Sequence, residues 1–208
     1  MSLPNISHQA AHPVSYPGAD QGAPSDQALI VAVLGGDTEQ FGLLVRRHQQ
    51  RVMRFILKYE YNIHDAQDLA QETFLQAFRG LSGFHAEARF STWLTGIAFN
   101  LLKNHISRSP TKQYQHLDIE EQVEGECSVA SDNPAQVYER NQLLLVMERA
   151  IAALAPNMRD PLVLVASEGM SYEEAADLLK LPIGTLKSRI CRARLQLADA
   201  LRAFRVAC

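Results

Sequence analysis

The sequence predicts an all-α protein with two small helical domains joined by a flexible linker. Three observations support this prediction. Apolar residues recur at the helical period of 3.6 on both sides of the chain centre. Segment 110–135, between them, is polar, acidic and without such a period. Residues 171–194 have the pattern of two short helices joined by a tight turn. We therefore expect a first domain at 26–109 and a second at 136–208.

Composition narrows the class of protein. The 208 residues carry a net charge of −3, and 47% are hydrophobic, which is ordinary for a folded soluble protein. No apolar run approaches the roughly 20 residues of a membrane span, and the N-terminus lacks a secretory signal pattern. The three scattered cysteines favour a reducing cytoplasm over a disulfide framework or a zinc site. The sequence predicts no metal, no cofactor and no membrane insertion. An enzyme is disfavoured, because no Gly-rich phosphate loop or nucleophile motif occurs.

Charged residues are grouped along the chain. A basic cluster without acidic residues is followed by an acidic one at 60–72, and an acidic segment at 118–132 precedes a basic one at 187–205. This grouping favours separate partners for separate faces of the molecule. The basic cluster consists of Arg46, Arg47, His48, Arg51, Arg54 and Lys58.

The N-terminal part begins with a segment, 1–25, that holds four prolines and is predicted to be disordered, with a partner-binding tail as the alternative. Two helices follow. Asp26 is expected to cap the first, and Gly35-Gly36-Asp37 to end it and cap the second. The predicted core face of the second helix is Phe41, Leu44, Val45, Val52, Phe55 and Ile56.

A third helix is predicted over 62–78. Its apolar residues are Leu69, Phe74, Leu75 and Phe78, and its polar residues Asp65, Asp68, Gln71 and Glu72 can all face solvent. Taken alone, such a charged cluster is usually an ordinary solvated face.

A loop and a fourth helix are predicted over 84–109, with the helix beginning near Phe90. Phe90 and Trp93 are expected in the core. One side of the helix carries Gly96, Phe99, Asn100 and Lys103, and amide, basic and aromatic groups together suit unstacked single-stranded bases. A core helix with one polar side is an equally open interpretation of this segment alone.

The second domain is predicted to begin with an amphipathic helix over 137–154 and a shorter helix over 158–167. Ser171 is then placed as an N-cap, and Glu174 completes a capping box. Leu181-Pro182 ends that helix, and another starts near 183–185. The inward stripe of this last helix is Leu186, Ile190, Ala193 and Leu197, and its opposite side carries Lys187, Ser188, Cys191 and Arg192.

This pattern is typical of a helix-turn-helix, whose second helix lies in the DNA major groove. Lys and Arg there can reach guanine edges, while flanking Arg side chains hold phosphates. An ordinary helical hairpin with a solvated basic face is the alternative.

Several motifs resemble one family. SYEEAADLLKLPIGTLKSRICRAR is similar to the minus-thirty-five segment of extracytoplasmic-function (ECF, group IV) RNA polymerase sigma factors. DAQDLAQETFLQAFR resembles the family segment that docks on the polymerase clamp helices, and F-x-x-W-L-x-x-I-A-x-N in FSTWLTGIAFN resembles the minus-ten region. The resemblance covers about 26–204. It implies a non-catalytic factor that binds core RNA polymerase, recognises both promoter elements and helps to open DNA. It also implies control by an anti-sigma factor and a cytoplasmic location, with attachment to the inner membrane through that factor as one option.

The resemblance also implies site residues. The minus-thirty-five set is Thr185, Lys187, Ser188, Arg189, Cys191, Arg192 and Arg194. The minus-ten set, which would hold a flipped base, is Phe84, His85, Ala86, Glu87, Ala88, Arg89, Phe99, Asn100 and Lys103. The polymerase-binding set is Asp65, Asp68, Gln71, Glu72 and Phe74. The loop HAEAR departs from the short forms frequent in the family. A helix-turn-helix repressor with an N-terminal sensor domain is the alternative from another class, because it would not need the docking helix.

Overall fold

The computed structural model describes residues 24–86, 88–108 and 134–207. Within these residues all regular structure is helical, which confirms the predicted fold class. The helices form two groups that are adjacent in the chain and packed internally, α1–α4 and α5–α8. The first group consists of α1 (Asp26–Leu34), α2 (Phe41–Leu57), α3 (Ile63–Gly80) and α4 (Phe90–Arg108). The second consists of α5 (Pro134–Ala152), α6 (Pro156–Leu162), α7 (Tyr172–Leu179) and α8 (Ile183–Ala207).

The start of α1 differs from the prediction. Ser25 is the N-cap, and its hydroxyl accepts a hydrogen bond from the Ala28 amide at 3.2 Å. The expectation that Asp26 caps this helix is therefore wrong. Asp26 lies one residue inside, where its carboxylate binds Arg47 at 2.5 Å and His48 at 2.9 Å. Ser25 thus belongs to the folded domain, while residues 1–23 of the predicted tail lie outside the described part of the chain.

The connection from α1 to α2 uses the two glycines as expected. Gly36 has a φ of +105°, a conformation that side-chain-bearing residues rarely adopt. Asp37, however, does not cap α2. Its carboxylate accepts from the Gln40 side chain at 3.0 Å, and a 3₁₀ turn at Thr38–Gln40 precedes the helix. This part of the prediction was wrong because the turn occupies the residues between the glycines and α2.

The core of the first group follows the predicted apolar faces. On α2, the expected core residues are buried, and Val45 is half-buried. Asn62 caps α3 by accepting from the amides of His64 and Asp65. Of the apolar residues on α3, Leu69 and Phe74 are buried, whereas Leu75 and Phe78 are 49% and 41% exposed.

The second group is centred on α8, against which α5, α6 and α7 all pack. Helix α5 begins three residues before the predicted start, and α6 begins at Pro156, a residue suited to the first turn because it needs no amide partner there. A π-type turn at Val163–Ser167 follows α6. The linker prediction for 110–135 falls almost wholly on residues 109–133, outside the described part, and Pro134 already belongs to α5.

Candidate nucleic-acid and polymerase interfaces

The helix-turn-helix begins with the predicted capping box. The Ser171 hydroxyl accepts from the Glu174 amide at 3.0 Å, and the Glu174 carboxylate accepts from the Ser171 amide at 2.7 Å. Helix α7 ends at Leu179, and Lys180 turns the chain with a left-handed φ of 54°. Two amides are thus satisfied at the start of α7, and a sharp turn directs the chain into α8.

Helix α8 presents the two faces that its sequence predicts. Leu186, Ile190 and Ala193 are almost completely buried, and Leu197 is half-buried. The opposite face carries the predicted minus-thirty-five set. Five of its members are exposed, namely Lys187, Ser188, Cys191, Arg192 and Arg194, and two are half-buried, namely Thr185 and Arg189.

Local contacts hold part of this outer face in place. The Ser188 hydroxyl donates to the Thr185 carbonyl at 2.9 Å, and the Lys187 ammonium lies 5.8 Å from the centre of the Tyr172 ring on α7. Arg189 instead lines a cleft of about 330 Å³ that Lys103 of the first group also lines. Arg192 and Arg194 are exposed on the outer face of α8 and accessible to a DNA duplex.

The predicted base pocket has an aromatic floor. The Phe84 ring lies 5.8 Å from Phe90 and 5.2 Å from Trp93, centre to centre. Phe90 is buried, as expected for a core residue, whereas Trp93 is half-buried and also lines the cleft beside Phe84. Phe84 is half-buried, because its ring contacts this aromatic cluster and also lines a neighbouring cleft.

That cleft has a volume of about 400 Å³. Phe84, His85, Ala86 and Ala88 line it from the loop, and the exposed Asn100 lines it from α4. Glu87 lies outside the described residues. The structure thus brings Phe84, His85, Ala86, Ala88 and Asn100 of the minus-ten set around one cavity, whereas the exposed Arg89 does not line it.

Phe99 does not share in this cavity and is a correction to the minus-ten set. It is only 4% exposed, its ring lies 6.4 Å from that of Tyr59, and Lys103 covers it at 5.3 Å. It cannot serve as a platform for a base in this arrangement, because its faces are already occupied. Lys103 itself is exposed but forms an ion pair with Asp160 at 2.5 Å.

The predicted polymerase-binding set lies on α3. Asp68 and Gln71 are exposed, Asp65 and Glu72 are half-buried, and the Glu72 carboxylate accepts from Gln76 at 3.0 Å. Phe74 is 8% exposed and packs in the core, so a partner cannot contact it directly. The neighbouring apolar residue Leu75 is at the surface, 49% exposed.

Sequence inspection missed three groups that the fold uses. Asp160 and Glu168 are buried acids of the second group, and both bind cations of the first. Glu60, assigned to an acidic surface cluster, is also buried, and its carboxylate lies 3.0 Å from Nε2 of His105. A lone acid within an apolar stretch, such as Asp160 in PNMRDPLVL, is the signal that could have indicated a buried pair.

Glu60, Asp65 and His105 also have ligand atoms within 4.8 Å of one another, close enough in principle for a cation. The Glu60 carboxylate accepts from the Asn62 amide and contacts His105, so these groups join the end of α4 to the α2–α3 turn.

Among the described residues, no helix is long and apolar enough to cross a membrane.

Two family models match the chain. Sigma-70 region 2 matches residues 44–110, and Sigma-70 region 4 matches residues 144–197. The RNA polymerase sigma-H factor of Pseudomonas aeruginosa is 34% identical over 181 residues, which are 85% of this chain and 94% of that protein. The ECF RNA polymerase sigma-E factor of Salmonella typhimurium is 34% identical over 174 residues, 82% of this chain and 91% of that protein.

The chain belongs to the ECF-type sigma factors. As such it is a transcription initiation factor that recognises promoter DNA with region 2 and region 4. The match to region 2 over α2–α4 also decides against the helix-turn-helix repressor, since it accounts for the first group of helices as part of a sigma factor.

Solved structures agree with this family. The structure of CnrH in complex with the cytosolic domain of CnrY matches this sigma factor with a TM-score of 0.58 and 25% identity, covering 86% of this chain and 97% of that one. The sigma factor RpoE of Bartonella quintana, in complex with the anti-sigma factor NepR, matches with a TM-score of 0.58 and 24% identity. That match covers 79% of this chain and 98% of that one, and it supports the fold alone.

Proposed function

We propose that this sigma factor reads the minus-thirty-five element with Lys187, Ser188 and Arg192, while Arg189 and Arg194 mainly hold phosphate. The observation that carries the proposal is the division of α8. Leu186 and Ile190 are buried, so the opposite face of the helix points away from the domain. Basic side chains on such a face can donate to guanine edges in the major groove.

We infer that the minus-ten surface captures one unstacked base between Phe84, the loop 85–91 and Asn100. Phe84, His85, Ala86, Ala88 and Asn100 line one cavity of about 400 Å³, which supports this assignment. Extruding a base costs a few kcal/mol, so the pocket must return that energy through stacking and hydrogen bonds to the base edge. Phe84 provides the aromatic surface and Asn100 the amide.

Docking on core polymerase is assigned to the exposed side of α3. Asp68 and Gln71 are exposed and Glu72 is half-buried on this helix, and Leu75 adds an accessible apolar side chain beside them. An acidic surface with an apolar neighbour fits a basic partner surface that also offers apolar contact. Leu75 replaces the buried Phe74 in the proposed polymerase-binding set.

The factor is proposed to act without covalent chemistry of its own, in the cytoplasm, as a member of group IV under anti-sigma control. The match to CnrH supports a protein partner, because that relative is described with the cytosolic domain of another protein. Attachment to the inner membrane would then come from the anti-sigma factor.

The test of the polymerase assignment is a double charge reversal, Asp68→Lys with Glu72→Lys. It should abolish retention of the protein on immobilised core polymerase and leave its circular dichroism unchanged. The matched control is Glu173→Lys with Asp177→Lys, which reverses two exposed acids on α7 of the other group. Retention of the α3 variant at the wild-type level would reject this docking surface.

A run-off transcription assay tests the function as a whole. Core polymerase with the wild-type protein should produce promoter-specific transcripts from genomic fragments, and core polymerase alone should not. Equal transcription with and without the protein would contradict the proposal.

A further inference from the structure

Three side chains that can bind a metal ion meet where the end of α4 lies against the turn between α2 and α3. They are Glu60, Asp65 and His105, and one ligand atom of each lies within 4.8 Å of the other two. Oε2 of Glu60 lies 3.0 Å from Nε2 of His105. Zinc and neighbouring divalent metals accept carboxylate oxygens and imidazole nitrogens in one site. These three side chains therefore offer the donor atoms of a cation site.

Glu60 is oriented by the turn in which it lies. Its side chain is 7% exposed, and its Oε1 accepts a hydrogen bond from the Asn62 amide at 3.0 Å. Carboxylates that bind metals are themselves held by hydrogen bonds of this kind, which fix the direction of the ligating oxygen. The contact with Asn62 thus leaves Oε2 directed to His105.

Asn62 also fixes the start of α3, where Asp65 lies. Its side-chain oxygen accepts from the amides of His64 at 2.9 Å and of Asp65 at 3.3 Å. The backbone of both carboxylates is therefore held by one short turn, and the packing of α4 brings His105 to them. Ligands on such fixed positions lose little freedom when an ion binds.

The charges of these three side chains suit a divalent cation. The two carboxylates carry two negative charges, and burial of a carboxylate such as Glu60 is costly unless its charge is balanced. Within this trio, a protonated His105 balances one negative charge, whereas a divalent ion balances both and binds the neutral imidazole. Asp65 is half-buried and the His105 side chain is 26% exposed, so an ion can enter from the solvent on that side.

The distances suit a small ion. Zinc bonds of about 2.0–2.2 Å in a tetrahedral arrangement place the ligand atoms about 3.3–3.6 Å apart. The contact of 3.0 Å between Glu60 and His105 is slightly shorter, and the limit of 4.8 Å for the whole trio is longer. Small side-chain rotations therefore bring all three atoms to bonding distance. Calcium and magnesium are disfavoured, because both prefer shells made of oxygen alone.

We propose that Glu60, Asp65 and His105 form a binding site for a first-row divalent metal ion such as Zn²⁺, which joins the end of α4 to the start of α3. Three protein ligands leave a fourth position for water. The bound ion stabilises the first group of helices by connecting two of its members. The sequence alone predicts no metal here, because the ligands are far apart in the chain and only tertiary packing brings His105 to the two acids.

The test uses the full-length protein with Zn²⁺ alone as the probe, after dialysis against a chelator. Isothermal titration calorimetry gives the dissociation constant, and thermal melting followed by circular dichroism gives the unfolding midpoint with and without the ion. The wild type should bind one ion at this site. Its midpoint should rise by at least about 5 °C when free Zn²⁺ exceeds the dissociation constant a hundredfold.

Two variants remove one ligand each. His105→Gln replaces the imidazole, and Asp65→Asn removes a carboxylate charge with little change in shape. Each should weaken Zn²⁺ binding at least about 100-fold, because loss of a ligand costs no less than loss of the groups that orient it, and should abolish the rise in midpoint. His64→Gln is the matched control, since it removes an exposed imidazole beside Asp65 that is not one of the three ligands. Circular dichroism without the ion establishes that each variant is folded.

Co²⁺ in place of Zn²⁺ identifies the ligand atoms. A site of nitrogen and oxygen ligands should give visible absorption bands without the near-ultraviolet charge-transfer band that a cysteine thiolate adds. A sulfur-to-cobalt band that persists in His105→Gln would place the ion at a cysteine and contradict the proposed site.

The other outcomes are equally decisive. A wild-type midpoint that Zn²⁺ does not raise would overturn the site, as would wild-type affinity in both ligand variants. Loss of binding in only one of them would show that the three side chains do not act together. An equal rise in midpoint with Mg²⁺ would exclude a metal that needs the imidazole. These measurements involve neither promoter nor polymerase, so their failure would leave the proposed function unaffected.

Discussion

The two candidate DNA surfaces of this sigma factor differ in how much of each contacts the other group of helices. On α8, the recognition face is set by the domain itself, because Leu186 and Ile190 anchor one side and leave Arg192 exposed on the other. On α4, the face that carries Asn100 and Lys103 lies against the second group of helices, where Lys103 is paired with Asp160. The outer face of α8 is largely exposed, whereas the polar face of α4 contacts the second group of helices.

The contrast teaches what amphipathic periodicity measures. It reports which side of a helix must be buried within its own domain, so it describes α8 well. A polar side is not thereby exposed, because charged groups can be covered when another domain supplies complementary charges. On α4, the polar side carries candidate minus-ten residues and also contacts the second group of helices.

The largest expected effect comes from truncating a buried side chain of α8 or of α4. Leu186→Ala on α8 and Leu94→Ala on α4 each remove a side chain that is at most 1% exposed, and each should cost about 2–5 kcal/mol of stability. Urea unfolding followed by circular dichroism measures this loss. If the two surfaces belong to separate domains, Leu186→Ala should lose duplex binding while retaining core polymerase. A joint loss of both activities in each variant would show that the surfaces share one folding unit.

The next effect concerns the minus-ten cavity. Asn100→Ala removes the amide at its edge and should slow promoter opening by about 1–3 kcal/mol, the value of one good pair of hydrogen bonds to a base. Permanganate footprinting on a linear promoter measures opening, and a gel shift measures duplex binding, which should remain nearly normal. Asn104→Ala, exposed one turn further along α4, is the control. Normal opening by Asn100→Ala would show that this face of α4 is an ordinary solvated surface and does not bind a base.

On α8, two arginines test the division between base reading and phosphate binding. Arg192→Ala should cost about 1–3 kcal/mol and relax preference at one position of the minus-thirty-five element. Arg194→Ala should weaken all sequences alike and reduce the salt dependence, since it removes a phosphate contact. Competition among single-base variants of a promoter fragment measures the ranking. An unchanged ranking with Arg192→Ala would exclude base reading by this side chain.

The smallest expected effect concerns the ion pairs that Asp26 forms within the first group of helices. Burial alone would raise the pKa of the Asp26 carboxyl, but hydrogen bonds and charge from His48 and Arg47 outweigh it and lower that pKa below 3.8. The pairing therefore stabilises the fold above pH 3.8, and this contribution is lost as the pH falls through the lowered value. Asp26→Asn should cost about 1 kcal/mol at pH 7.

The deficit of Asp26→Asn should disappear at lower pH, as measured by urea unfolding at a series of pH values. Scattering should show the same radius of gyration as the wild type, because this pair lies within the first group of helices. Glu39→Gln, at an exposed neighbouring carboxylate, is the control. A deficit that persists unchanged at the lowest pH would mean that the charge of Asp26 is not its cause.

Much of the fold followed from local signals in the chain. The capping box at Ser171 and Glu174, the buried stripe of α8 and the core face of α2 each depend on residues close in sequence. The positions that misled prediction are those where two local solutions compete. Ser25 and Asp26 can both cap a helix, and the choice depended on Arg47 and His48, which bind Asp26 from α2.

The site residues divide in the same way. Asn100 and the loop of the minus-ten set meet at one cavity as their motif implied, whereas Phe99 and Phe74 are buried by neighbours from other helices. Leu75, by contrast, is left at the surface. A helical period gives the direction of a side chain but not the extent of the surface that covers it.

By itself, the sequence determined the helices, their inner faces and the family, because caps, periodicity and motifs are properties of contiguous residues. Only the tertiary structure decided the partners of the basic cluster. Two of its members, Arg47 and His48, bind Asp26, and two others, Arg51 and Lys58, bind Glu168, 110 residues beyond Lys58 in the chain. Charge acts through space at short range, so its partner depends on how distant segments pack and not on their order in the chain.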